Sequence, residues 1–177
     1  MIMLLEGGIG SGKTTALCHY AWREEVIGGR TLTMPSGTLE GMDGLYRLGI
    51  ELEEMVRLQG EGSNRWSFFF DESYRLYDSR HYGSPANRLF VYFMCLCKSR
   101  GNDVFITVDR FAHMDKRIRE SSGVVKGRCF YSRQREKAYV DFSRTHAAAG
   151  YDDEDVLEVE ARQVWTSVMG RWSIPLQ

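Results

Sequence analysis

The sequence predicts an α/β chain: a three-layer sandwich with helices on both faces of a mainly parallel central sheet, closed by a C-terminal β-hairpin. Three observations predict it. Short apolar runs alternate with helix-period segments along the 177 residues, the order that βαβ units produce. One of those runs, Trp-Ser-Phe-Phe-Phe ahead of Asp71-Glu72, is apolar without alternation, as a strand covered on both faces requires. Near the start of the chain, a glycine-rich stretch containing Gly7, Gly8, Gly10 and Gly12 stands between an apolar run and a helical pattern.

Taken in order, Ile2 to Glu6 reads as a short buried strand, and Lys13 to Val26 as a helix with Ala16, Leu17, Tyr20 and Ala21 on one stripe. Thr31 to Met34 is a strand stopped by Pro35, and residues 36–44 are loop-like. Residues 45–59 predict an amphipathic helix with Leu45, Leu48, Leu52, Met55 and Val56 inward. After the phenylalanine strand, Ser84 supplies an N-cap and Pro85 the first turn of an apolar helix that runs to Arg100. Asp103 to Val108 is another buried strand, and residues 111–120 a short helix. Residues 127–132 and 137–142 form the terminal hairpin, and the remainder shows no clear period. One domain is expected over residues 1–150, with 151–177 as an extension packed on or flanking it.

The glycines have a chemical reason. Gly7, four further residues, then Gly12-Lys13-Thr14 fits the P-loop pattern, in which backbone N–H groups curl round phosphate oxygens. The helix that follows turns its positive end on the same place. The expected nucleotide contacts are Gly7, Gly8, Ile9, Gly10, Ser11, Gly12, Lys13, Thr14 and Thr15. Lys13 meets the β- and γ-phosphates, and the Thr14 hydroxyl coordinates Mg²⁺. Asp71 and Glu72, at the end of an apolar strand, complete the site: Asp71 holds Mg²⁺ and Glu72 orients the attacking water. This pair suits hydrolysis of ATP better than transfer to a small acceptor. A GTPase reading lacks the N-K-x-D element for guanine.

The P-loop, the Phe-Phe-Phe-Asp-Glu strand, and the blocks at 98–108 and 111–120 together resemble the FtsK–HerA superfamily of additional-strand (RecA/ASCE-like) P-loop ATPases. Within it, the Zot-like ATPases of filamentous phages and the viral genome-packaging ATPases are most alike. Arg100, Gly101, Asp103, Thr107, Asp115, Arg117 and Arg119 match the family's second block. The sensor glutamine does not: Val108 and Asp109 stand there, leaving Asp109 or water held by Thr107 to substitute. The resemblance implies an oligomeric, ring-forming motor that translocates DNA, with a viral genome packed into a capsid. It also implies capsid or virion proteins as partners, and a place in the host cytoplasm or on the virion. It further implies an arginine given in trans, with Arg100, Arg117 and Arg119 as candidates. Arg100 is favoured and is expected near the sheet's carboxyl edge. Zot-like members carry a membrane helix beyond the ATPase domain; no transmembrane run is present in this sequence.

Two other readings compete with that motor: a Zot-like morphogenesis ATPase at a membrane, and a nucleotide-dependent assembly switch that moves nothing. The net charge of −1 does not by itself indicate a nucleic-acid partner, but the charge is uneven. From Lys98 to Arg144 twelve basic residues face six acids, while Asp152 to Glu160 holds six acids and no base. A basic surface that tracks a DNA backbone follows, with Tyr131, Arg133 and Arg135 as contacts. Cys18, Cys95, Cys97 and Cys129 show no zinc spacing and suit a reducing compartment. His19, His81, His113 and His146 lack metal spacing too. The tryptophans and Met34, Met42 and Met55 read as packing.

Overall fold

A computed structural model describes residues 1–26, 30–34, 37–40, 46–48, 52–59, 65–73, 83–134, 137–142, 156–159, 164–167 and 170–172. The strands are β1 (Ile2–Glu6), β2 (Arg30–Met34), β3 (Gly37–Glu40), β4 (Tyr46–Leu48), β5 (Trp66–Phe70), β6 (Asp103–Val108), β7 (Val124–Ser132), β8 (Lys137–Asp141), β9 (Val156–Val159), β10 (Val164–Ser167) and β11 (Gly170–Trp172). The helices are α1 (Lys13–Val26), α2 (Leu52–Leu58), α3 (Pro85–Ser99) and α4 (Lys116–Arg119), with a 3₁₀ turn at Phe111–His113.

The main sheet has the order β4-β2-β5-β6-β1-β7-β8-β9. Every pair from β4 to β7 is parallel; β8 and β9 then run antiparallel at the β7 side. This is the expected α/β sandwich with its hairpin. Alternation along the strands sends Leu4, Phe68, Phe70 and Ile106 into one core with α2, α3 and α4. Leu5, Phe69 and Phe105 go the other way, onto Leu17, Tyr20 and Ala21 of α1. The phenylalanine run is therefore buried on both faces: Phe69 stacks on Phe105 at 4.7 Å, and Phe70 meets Phe90 edge-on at 5.3 Å. Among the described residues no helix is long and apolar enough to cross a membrane.

Ser84 caps α3, its side chain accepting from the Asn87 N–H, and Pro85 occupies the first turn, as the sequence predicts. Three elements differ from expectation. Of the helix predicted over 45–59, Leu52–Leu58 is helical among the described residues, while Tyr46–Leu48 instead forms β4, paired in parallel with β2. The edge of β2 supplies Tyr46–Leu48 with backbone partners that an isolated helical turn lacks. Gly37–Glu40, read as loop, is β3, which pairs with β10 near the other end of the chain. The helix predicted over 111–120 breaks in the middle, because the Asp115 side chain accepts from the Arg117 N–H and starts α4 there. Of the residues singled out above, Pro35, Met42, Leu45, His81, Arg135, Arg144, His146, residues 152–155 and Glu160 lie outside the described residues, as do the side chains of Trp22, Met34, Leu48, Trp165 and Trp172.

Candidate nucleotide site

The site gathers at the carboxyl edge of the parallel strands, where β1, β5 and β6 end. The Gly7 N–H donates to the Val108 carbonyl at 3.1 Å and ties the base of the loop to β6. Gly10 and Gly12 have φ of 74° and 83°, backbone that side chains rarely adopt, so the loop can reverse sharply into α1. A Cβ on Gly7 would lie 2.2 Å from the Ser11 Oγ. The first intrahelical bond is Ala16 N–H to the Gly12 carbonyl, so the N–H groups of Lys13, Thr14 and Thr15 have no partner within the helix. Ser11 Oγ is buried without a hydrogen-bond partner among the described residues. Ile9, at the loop tip, is fully exposed. Open amides, an orphaned hydroxyl and a helix N-terminus in one loop fit an anion of phosphate chemistry.

Lys13 is 7% exposed. Its ammonium donates to the carbonyls of Gly7 at 2.5 Å and Gly8 at 2.9 Å and pairs with Asp109 at 3.4 Å. These contacts use its three donors, so a phosphate at this place would exchange with them rather than meet a bare charge.

Asp71, where β5 ends, accepts from the Thr14 hydroxyl at 2.9 Å and the Thr107 hydroxyl at 2.6 Å. Thr107 in turn accepts from the Glu72 N–H at 2.7 Å. Glu72 carries φ 50°, a left-handed conformation for a residue with a side chain, and this contact pins it. Thr14, Asp71, Thr107 and Glu72 thus form one connected chain across α1, β5 and β6. Thr14 and Asp71 are 2.9 Å apart and are hard oxygen donors, which suits a Mg²⁺ that takes its other ligands from phosphates and water. The Thr107 hydroxyl thus bridges Asp71 and the Glu72 N–H as a scaffold between them, and Asp109, just past the end of β6, reaches Lys13 of the P-loop.

Arg100 does not lie at this edge. It is the exposed C-cap of α3 and leads into the start of β6, at the opposite, amino edge of the sheet, because α3 runs antiparallel to the strands it connects. The six residues of β6 put about 20 Å of strand between Arg100 and its own chain's P-loop. Arg117 is held by Asp115, Nε to Oδ1 at 3.0 Å and Nη2 to Oδ2 at 2.8 Å; the Arg117 hydrogen bond holds that carboxyl below its usual range. Arg119 Nε is buried without a partner among the described residues.

Three residues missed by sequence reasoning stand beside the loop. Glu6, the last residue of β1, accepts from the Phe111 N–H at 2.8 Å and pairs with Arg128 Nε at 3.1 Å. Arg128 and Arg110 line an open cleft with Gly7, Gly8 and Asp109. Their proximity depends on the parallel register that sets Arg128 opposite Glu6, which no local pattern encodes.

No family model matches the sequence, and no curated protein matches it. Solved structures do share the fold. The N-terminal domain of zonular occludens toxin from Neisseria meningitidis superposes with TM-score 0.55 at 14% identity, covering 98% of this chain and 94% of that one. The genome packaging NTPase B204 from Sulfolobus turreted icosahedral virus 2, in complex with ATPγS, gives TM-score 0.52 at 13% identity, covering 95% and 92%. The same NTPase with AMPPCP gives 0.53 at 12%, covering 99% and 98%. The chain is similar to both proteins in fold, and that fold is a P-loop NTPase sandwich.

Proposed function

We propose that the chain is an ATP hydrolase of the FtsK–HerA type that works as an oligomeric motor moving DNA, a viral genome into a capsid. One observation carries the hydrolase reading. The hydrogen-bonded chain Thr14–Asp71–Thr107–Glu72 joins the P-loop to an acidic pair at the correct strand ends. Fold likeness to a genome packaging NTPase supports the motor reading, and the excess of basic residues after Lys98 supports DNA as its track.

In this reading the P-loop amides hold the phosphates and Lys13 gives up Gly7, Gly8 and Asp109 to neutralise the γ-phosphate. Mg²⁺, held by Thr14 and Asp71, would offset charge on the β- and γ-oxygens. Glu72 orients the water whose oxygen bonds to the γ-phosphorus as the bond to the ADP oxygen breaks. Arg100, exposed at the far edge, is available only to a neighbouring subunit's site, which requires an assembly. The likeness to the zonular occludens toxin domain favours a second reading, a Zot-like morphogenesis ATPase at a membrane.

The test is ATP turnover by the wild type, Lys13→Ala and Glu72→Gln, with and without single- and double-stranded DNA, alongside the mass of the assembly. Lys13→Ala is expected to lose binding and turnover, and Glu72→Gln to bind ATP without hydrolysing it. DNA-stimulated turnover in an oligomer supports the motor. Turnover indifferent to DNA favours a morphogenesis or switch role, and none in the wild type removes the hydrolase reading.

A further inference from the structure

The hairpin overruns the strand that carries the P-loop. β7 pairs with β1 only as far as Arg128, opposite Glu6; Cys129 to Ser132 continue in pairing with β8 alone. At about 3.3 Å per residue those four positions extend roughly 13 Å past β1, as a wall beside the loop. The wall touches the loop twice. The Cys129 carbonyl lies 2.9 Å from where a Gly7 Cβ would stand, and a Cβ on Gly12 would lie 2.8 Å from the Ala138 Cβ and 3.8 Å from the Tyr131 Cβ. Glycine in the loop and alanine opposite Tyr131 let the two come together.

Tyr131 is therefore anchored next to Gly12, one residue from the lysine and two from the threonine of the motif. Strand alternation puts it on the same face as Cys129, which packs in the α1 core cluster. Phe130 points to the other face and stacks on Tyr139 at 5.1 Å. Tyr131 belongs to neither core cluster, and 41% of its surface is open. An exposed ring at the start of a phosphate-binding helix has the shape and position of a base platform.

We propose that Tyr131 is the base-contacting residue of the nucleotide site, its ring stacking against the purine of a nucleotide whose phosphates lie in the P-loop. This rests on the nucleotide reading above and deepens it. It also reassigns Tyr131 from DNA to the nucleotide. Stacking uses the face common to all bases, so the contact supplies affinity without choosing between adenine and guanine.

The test measures equilibrium binding of ATP and of inorganic tripolyphosphate, both with Mg²⁺, to the wild type, Tyr131→Ala, Tyr131→Phe and Lys13→Ala, together with DNA binding. Tyr131→Ala is expected to weaken ATP about 5- to 150-fold, the range for losing one base–aromatic stack, and to leave tripolyphosphate unchanged. Tyr131→Phe stays near wild type, and Lys13→Ala weakens both ligands. Equal loss of ATP and tripolyphosphate in Tyr131→Ala, or loss of neither, overturns the base contact. Weaker DNA binding with ATP binding intact overturns it in favour of a nucleic-acid contact. A wild type that binds neither ATP nor tripolyphosphate overturns the nucleotide site itself.

Discussion

Replacing Thr107 by valine keeps the shape of a fully buried residue and removes one hydroxyl. That hydroxyl donates to Asp71 at 2.6 Å and accepts from the Glu72 N–H at 2.7 Å. A hydrogen bond to a charged group contributes about 1.5–3 kcal/mol and a neutral one about 0.5–1.5. Asp71 retains Thr14, so the lower half of the summed range applies, about 2–3 kcal/mol. Some of that loss returns, because Glu72 at φ 50° holds about 1–3 kcal/mol of backbone strain that the lost contact had secured. A net loss of about 1–2 kcal/mol in urea unfolding, followed by tryptophan fluorescence, is expected. The larger effect is on turnover. A relaxed Glu72 backbone moves its carboxylate, and a misplacement near 1 Å costs about 10²-fold in rate. Phosphate release should show kcat down by about that factor with KM little changed. Thr107→Ser keeps the hydroxyl, loses a methyl worth about 0.8 kcal/mol, and should keep its rate. A Thr107→Val protein as stable and as active as the wild type would refute the scaffold role.

Other substitutions test other links. Gly12→Ala combines φ 83° with a Cβ 2.8 Å from that of Ala138, and should cost about 2–4 kcal/mol in thermal or urea unfolding; a neutral result would mean the hairpin does not press on the loop. Arg100→Ala should bind ATP normally and turn over about 10³–10⁵-fold more slowly, with activity partly restored when mixed with Lys13→Ala subunits. No recovery in assemblies that contain both variants rules out action in trans. Asp115→Ala removes the cap of α4 and the Arg117 pair, a loss of about 1–2 kcal/mol near neutral pH. Since the folded carboxyl titrates below its ordinary 3.8, that stability is complete above pH 3.8 and fades as pH falls through the lower folded value. The gap between wild type and variant should therefore narrow in acid as pH falls below 3.8, and a gap that does not change with pH would contradict the linkage.

What the sequence disclosed was what local chemistry enforces. The P-loop, the acidic strand end, the cap at Ser84 and the doubly buried phenylalanines each follow from residues close together in the chain. What it withheld was pairing. β3 and β4 taken alone have the patterns of loop and helix, because their partners supply the reason they are strands, and β3's partner is Val164 to Ser167. Arg100 differs from expectation for a similar cause: the direction of α3 relative to the sheet, not its composition, decides which edge its end reaches. Glu6, Arg110 and Arg128 became visible only once register set β7 beside β1.

The central place of β1 also governs how the chain can be made. Ile2 pairs with Val104 on one side and Val124 on the other, so both neighbours of the first strand are synthesised long after it. Until then its apolar side chains have no sheet to join, and the loop it carries cannot take its shape. At 5–20 residues per second, the interval from β1 to β7 on a ribosome is about 6–25 s. A nascent chain stalled before Asp103, with neither neighbour made, should therefore bind chaperones through β1 and have no affinity for nucleotide. Completion of β6, whose Val108 carbonyl receives the Gly7 N–H, and then of β7 turns the glycines near Lys13 into a site.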